Sequence, residues 1–372
     1  MRTRAIRKAF QQKENQTFKT MGVESTMPLA EPLRTWYRNN ARSMPWRGSR
    51  NPYVIWLSEV MLQQTRVAQG LPYFQRFIKR FPDVFQLADA DETEIFKLWE
   101  GLGYYSRARN LHRCAKEVAS IHNGQFPNTA KELESLPGIG PYTAAAIASI
   151  CFDESVPVVD GNVNRFISRL HGIRENVDKA NGKRIIRELA SGFISEDPGT
   201  MNQALMEFGA TVCMPKNPLC ESCSFAGGCV AFRSAEVGDY PVKTPKKARR
   251  KRYFHYHMIT DGKKILVHRR ESSDVWKGLF EFPLLESSGT QLEKDLGIPQ
   301  EMFEFLPPER IQLLSHQEIH ARFYLAQLEE LPQLSGYSSI PLAELHELAF
   351  PRVIRGFMEN HQDVLTRIGV KV

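Results

Sequence analysis

The sequence predicts two domains of different class: an all-α domain over residues 27–237, then a linker over 238–252 and an α+β domain over 253–372. Three observations carry this. The chain has 372 residues of ordinary globular composition, 42% hydrophobic and 24% charged, a length that favours two cores over one. Helix signals follow one another up to about Tyr240 with no strand alternation among them. Beyond a run of basic residues the pattern changes to short β-rich segments.

The elements follow in chain order. Residues 1–26 mix charge, Gln and Ser with little apolar periodicity and read as a mobile basic tail. Asn51-Pro52 opens an amphipathic helix with Pro at its first position, Asp91 caps Glu92 to Trp99, and Ser106 opens a long helix ending near Gly124. Thr129 to Ser135 and Tyr142 to Phe152 flank a Gly-rich turn, and Asp160 precedes a helix reaching Leu170. In the second domain, Phe254 to Ile259 and Lys264 to His268 read as strands joined at Asp261-Gly262, and a final helix runs from Pro351 to about Ile368. There is no internal repeat.

Composition excludes wholesale disorder and collagen-like or disulfide-scaffold classes. The longest near-apolar run, Tyr142 to Phe152, is far short of the roughly 18 residues that span a bilayer, and no secretion-type apolar core follows the N-terminus. The expectation is a soluble cytoplasmic protein with no membrane partner. The formal charge of +7 divides into +5 for residues 1–20, 0 for 21–240, +7 for 241–252 and −5 for 253–372. Lys243, Lys246, Lys247, Arg249, Arg250, Lys251 and Arg252 have no acid among them, which suits a phosphate backbone or, equally, a solvated charge run.

Cys213, Cys220, Cys223 and Cys229 are close enough in sequence to wrap one tetrahedral ion or one cubane cluster. Spacing leaves zinc and iron-sulfur open. Cys114 and Cys151 fall on apolar helix positions and read as core. Leu136-Pro137-Gly138-Ile139-Gly140-Pro141 between two helices reads as a helix-hairpin-helix element, with Gly138 and Gly140 freeing backbone amides to hold a phosphate. Two acids stand out. Glu59 lies among apolar helix positions, where burial would raise its pKa and suit a general acid; Asp160, before Gly161-Asn162, is either an N-cap or a functional carboxylate.

The run from Trp46 through the Glu59 helix, the Gly-Ile-Gly hairpin, Val159-Asp160-Gly161-Asn162-Val163 and the four cysteines resembles the endonuclease III superfamily of DNA glycosylases, and within it the MutY-type adenine DNA glycosylases, over about residues 28–370. The resemblance implies a 4Fe-4S cluster on the four cysteines. Lyases of the superfamily carry a Schiff-base Lys where this chain has Tyr142, so it implies a monofunctional enzyme. Trp46 and Arg47 would line and bond an extruded adenine, Gln63 and Gln64 would contact DNA beside Glu59, and Tyr104 would be an aromatic wedge rather than an ordinary buried tyrosine. Trp276-Lys277-Gly278-Leu279-Phe280-Glu281-Phe282-Pro283 resembles a Nudix-like lesion-recognition domain, without the Glu-rich hydrolase helix after Pro283. The family's Phe-Ser-His loop is Leu314-Ser315-His316 here, so Ser315 and His316 carry over as lesion readers and the aromatic does not.

The resemblance implies hydrolysis of adenine opposite 8-oxoguanine or guanine in duplex DNA, by a monomer, nucleoid-associated if bacterial. Glu59 would protonate adenine N7 and later activate water, and Asp160 would stabilise or trap the oxocarbenium-like sugar, with Tyr142 and Asn162 holding the sugar site. The other readings are a mismatch thymine glycosylase, an endonuclease III-like glycosylase and a catalytically idle DNA-binding scaffold.

Overall fold

The computed structural model of the chain describes residues 29–194, 196–245, 247–271, 274–289 and 296–370, so the expected tail at 1–26 lies outside the described residues. The helical series is α1 (Ala30–Asn40), α2 (Pro52–Leu62), α3 (Val67–Arg80), α4 (Val84–Asp89), α5 (Glu92–Trp99), α6 (Ser106–Ser120), α7 (Ala130–Leu133), α8 (Pro141–Phe152), α9 (Gly161–His171), α10 (Ala180–Ser191), α11 (Pro198–Thr211) and α12 (Val230–Arg233). Strands β1 (Arg250–Thr260), β2 (Lys264–Arg269), β3 (Phe280–Glu281), β4 (Leu284–Ser287), β5 (Glu304–Leu313), β6 (Gln317–Gln327) and β7 (Ser338–Pro341) precede α13 (Arg352–Asn360) and α14 (Gln362–Arg367). The chain forms two compact units that do not follow its order. Among the described residues, one takes those of 29–50 and 144–244, the other those of 51–143 and 245–370.

The first unit is helical around Phe166, whose ring lies 4.9 Å from Phe208, 5.2 Å from Phe225 and 6.0 Å from Phe193. Leu33, Ile167, Ile186 and Leu205 complete this core. Helix α11 approaches the start of α9 closely: a Cβ on Gly209 would stand 2.8 Å from the Asn162 carbonyl oxygen. Only glycine permits that spacing.

In the second unit, α2 is enclosed rather than amphipathic, because Tyr53 and every residue from Ile55 to Met61 is buried. Asn51 caps it by accepting from the Tyr53 N–H, with Pro52 next, as the sequence predicts. The seven-stranded sheet has β3-β2-β1-β6-β5 as its main path, with β4 on β1 and β7 on β2; β1 and β6 run parallel from Arg250 to Thr260. Its core includes Phe254, Tyr256, Phe282 and Phe323, and Phe357 of α13 stacks on Phe323 at 3.8 Å between ring centroids. Glu100 fastens the helices to the sheet domain, its Oε1 accepting from the Phe350 N–H at 3.0 Å and from Arg355 Nε at 2.9 Å. Gly278, at φ +83°, lets a turn lie on Phe96; a Cβ there would come within 2.6 Å of that ring.

Three expected boundaries change. The basic run does not stay in a linker, since β1 begins at Arg250, and Arg252 is bound by Asp274 and Glu286 at 2.8 and 2.6 Å. Strand pairing with β6 and the facing acids draw these residues into the sheet. The final helix is broken, because His361 leaves the helical region at φ −125°, ψ 47° and its Nε2 meets the Pro307 carbonyl at 2.9 Å. The helix before the hairpin is a single turn, Ala130–Leu133, capped by Thr129.

Candidate active site

In the second unit, Glu59 sits on the enclosed helix α2 at 8% exposure, and Tyr142, one residue into α8, donates its hydroxyl to Glu59 Oε2 at 2.6 Å. The hairpin puts Tyr142 there. Gly138 needs glycine twice over, for φ is +76° and a Cβ would lie 2.5 Å from Asn110 Cβ; Gly140 has open space around it and no positive φ. Gln63 Nε2 reaches Thr143 Oγ1 at 3.2 Å, and Gln64, exposed at φ 57°, follows it. Gln63, Gln64, Tyr104 and Gly138 line one cavity of about 230 Å³.

The residue that orders this cavity is Arg107, which sequence reasoning did not single out. Its Nη1 donates to the carbonyls of Val60, Met61 and Gln63 at 3.0, 2.9 and 2.7 Å, closing the C-terminal end of α2. Its Nη2 donates to Gly103 O at 3.0 Å and so holds the loop bearing Tyr104. Burial lowers the Arg107 pKa to about 10. Tyr104 itself is 46% exposed at φ 50°, which is not the setting of an ordinary buried tyrosine. Its hydroxyl lies 2.9 Å from Ser315 Oγ. Ser315 and His316 form the exposed tip between β5 and β6, while Leu314 packs half-buried against the sheet core. The departure from the aromatic thus serves the core.

In the first unit, Asp160 is both N-cap and buried acid. Its carboxylate accepts from the Asn162 and Val163 N–H groups at 2.8 and 2.7 Å and from Asn162 Nδ2 at 2.7 Å. Burial raises its pKa, opposed by those donors and by Arg165. Asn162 Oδ1 in turn accepts from Arg165 Nη2 at 3.0 Å, and Arg165 Nε reaches the Cys213 carbonyl at 2.7 Å. Arg169, one turn on, lies 3.5 Å from Cys213 Sγ. The four cysteines line one small pocket with Phe166 and Phe225. Among the described residues no three His, Cys, Asp or Glu side chains are placed to hold one metal ion.

Trp46 is buried, and Arg47 is not free to face a ligand with its whole guanidinium. Its Nη2 bonds Glu207 Oε2 and its Nη1 the Arg42 carbonyl, each at 2.5 Å. Glu207, 3% exposed on α11, also binds Arg42; burial would raise its pKa, but the hydrogen bonds from Arg42 and Arg47 outweigh it and hold the value at about 2. A lone acid in the apolar run Met201–Gly209 was the available signal for Glu207, the same kind of signal that marks Glu59.

Residues 57–191 match the family described as HhH-GPD superfamily base excision DNA repair protein, and residues 255–360 match the NUDIX domain. The adenine DNA glycosylase of Buchnera aphidicola subsp. Schizaphis graminum is 34% identical over 272 residues, 71% of this chain and 77% of that protein. Its counterpart from Buchnera aphidicola subsp. Acyrthosiphon pisum is 31% identical over 344 residues, 89% of this chain and 97% of that protein. A thermostable thymine-DNA glycosylase of known structure aligns with a TM-score of 0.51 at 28% identity, over 55% of this chain and 95% of its own.

Proposed function

The chain belongs to the adenine DNA glycosylases of the HhH-GPD superfamily, base excision repair enzymes that act on N-glycosyl bonds, and from that membership we propose that its substrate is adenine opposite 8-oxoguanine, and opposite guanine, in duplex DNA. The observation that carries the mechanism is the 2.6 Å hydrogen bond from Tyr142 to Glu59. It fixes one carboxyl oxygen of a buried acid, and it puts a phenol where a lyase would need an amine. Glu59 protonates N7 of the extruded adenine, which makes the base a neutral leaving group, and then takes a proton from the attacking water. Asp160 carries the charge opposite the oxocarbenium-like sugar, as in retaining glycosidases, held in place by Asn162. No Lys or Cys nucleophile enters this scheme, so the product is an abasic site.

The sheet domain reads the opposing base. Support comes from the exposed tip Ser315-His316 and its contact with Tyr104, the proposed wedge. Leu284–Ser287, where a hydrolase helix would follow Pro283, is strand β4, and its Glu286 is engaged by Arg252. The domain therefore binds and does not hydrolyse.

We assign a 4Fe-4S cluster to Cys213, Cys220, Cys223 and Cys229. The fit rests on an all-thiol set around one pocket lined by apolar rings and on the positive Arg169 beside Cys213 Sγ. When bound, such a group organises the polypeptide that ligates it. These residues would hold it and fix the start of α9 through Arg165 and the Cys213 carbonyl.

One assay tests the reading. Duplexes with A opposite 8-oxoguanine, A opposite G, T opposite G, and thymine glycol are incubated with enzyme and cleaved with alkali. Cleavage of the first two is expected. Cleavage of the T opposite G duplex alone would install the mismatch thymine glycosylase reading, which the helical similarity to a thymine-DNA glycosylase keeps distinct; no cleavage of any would leave a binding scaffold.

A further inference from the structure

The second unit holds a larger cavity, about 730 Å³, that the reaction scheme does not use. Its walls are the start of α3 and the turn Glu100-Gly101 on one side, and β5 with α13 on the other. We propose that this cavity binds a nucleotide unit of the substrate DNA, with Arg310 and Arg352 taking the phosphate. The proposal rests on the duplex-DNA reading above and extends it to a second site.

The charge in the cavity is not internally balanced. Three arginines, Arg310, Arg352 and Arg355, line it against two acids; Glu100 is committed to Arg355 and to the Phe350 N–H, and Glu359, like Arg352, is exposed. Arg310 and Arg352 have no ion-pair partner among the described residues. Arg310 is seated against α13 at its one glycine, where a Cβ on Gly356 would stand 3.3 Å from Arg310 Nη1. Its Nε and the Gln312 Oε1 are both buried without a hydrogen-bond partner. Orphaned polar atoms of this kind are rare in folded proteins and are relieved when the side chain turns onto a ligand. Alternation along β5 puts Arg310 and Gln312 on one face. A guanidinium that needs an acceptor next to an amide oxygen that needs a donor matches a nucleotide, whose phosphate supplies the first and whose base or sugar supplies the second.

Position favours a strand of the duplex over a free nucleotide. Gln312 precedes Ser315 by three residues, about 10 Å of extended chain, and Gly101 precedes Tyr104 by three. A strand read at the Tyr104–Ser315 tips therefore reaches the cavity within about three base steps.

The test uses the full chain, a duplex with A opposite 8-oxoguanine, and equilibrium binding across a salt series. Arg310→Gln is expected to weaken binding about tenfold at low salt, the range for loss of one charged hydrogen bond, and to reduce the salt slope by about one. Arg310→Lys should keep the slope, and Arg352→Gln, at an exposed position, should lower it. Competition by millimolar deoxyguanosine monophosphate in the parent, lost in Arg310→Gln, would support the same site with a free nucleotide as its occupant. Parent-like affinity and slope in both Arg310→Gln and Arg352→Gln, with no such competition, overturns the proposal. A parent that binds the duplex but releases no adenine fails the function reading instead, and leaves the binding comparison intact.

Discussion

At the scale of single residues, the proposed chemistry makes Glu59 and Tyr142 separable. Glu59→Gln removes both proton transfers, so single-turnover adenine release should fall at least 10²–10⁴-fold while DNA affinity stays near that of the parent. Tyr142→Phe deletes the 2.6 Å bond to the carboxyl, and a loss of about tenfold is expected, the range of one hydrogen bond to a charged group. Equal losses in the two variants would mean that Tyr142 does more than hold Glu59. Glu207 gives a prediction on stability. Its pKa falls from 4.5 to about 2 on folding, so its pairing with Arg42 and Arg47 stabilises the fold fully above pH 4.5 and is lost as pH drops toward 2. The effect is of order 3 kcal/mol. Denaturant midpoints measured from pH 5 to 3 should drop more steeply for the parent than for Glu207→Gln. Glu59 and Asp160 were legible in the sequence because a carboxylate amid apolar positions is conspicuous. Arg107 and Arg165 were not, since they bind backbone carbonyls, and carbonyls leave no mark on a sequence.

At the scale of elements, the hairpin offers a comparison in which fold and function diverge. Gly138→Ala meets both a left-handed backbone and Asn110 Cβ, so it should lower the melting temperature by the equivalent of at least about 1–2 kcal/mol. Gly140→Ala meets nothing within 4 Å and should melt like the parent. If the hairpin amides approach a phosphate as proposed, Gly140→Ala should nonetheless weaken duplex binding, which a filter or anisotropy assay reads directly; unchanged binding would place the phosphate elsewhere. The turn between α7 and α8 was legible because two glycines and two prolines punctuate it. The enclosure of α2 was not, because an apolar helix buried on all sides and one buried on a single face share their strongest positions. The start of β1 was hidden for a similar reason: Arg250 to Arg252 look solvated until the acids of β4 and β6 and the residue Asp274 are brought beside them.

At the scale of the whole molecule, helix after helix and then strands were evident in order, but the grouping was not. Periodicity reports which face of an element is apolar and says nothing about which distant segment covers it. Thus residues 51–143 share a compact unit with the sheet, through Glu100, Phe96 and Gly278, although residues 144–244 stand between them in the chain. Deleting residues 245–372 should then do more than remove a reader of the opposing base. It should lower the melting temperature of what remains, and reduce the ratio of adenine release opposite 8-oxoguanine to that opposite guanine; a truncated chain that melts like the parent would show the helices to be self-sufficient. The same arrangement has a consequence in time. A ribosome extends a chain at about 5–20 residues per second, so the helices around Phe96 emerge roughly ten seconds or more before the turn at Gly278 that covers that ring. For that interval the nascent protein carries an uncovered aromatic surface, and it stays uncovered until the turn at Gly278, between β2 and β3, has been translated.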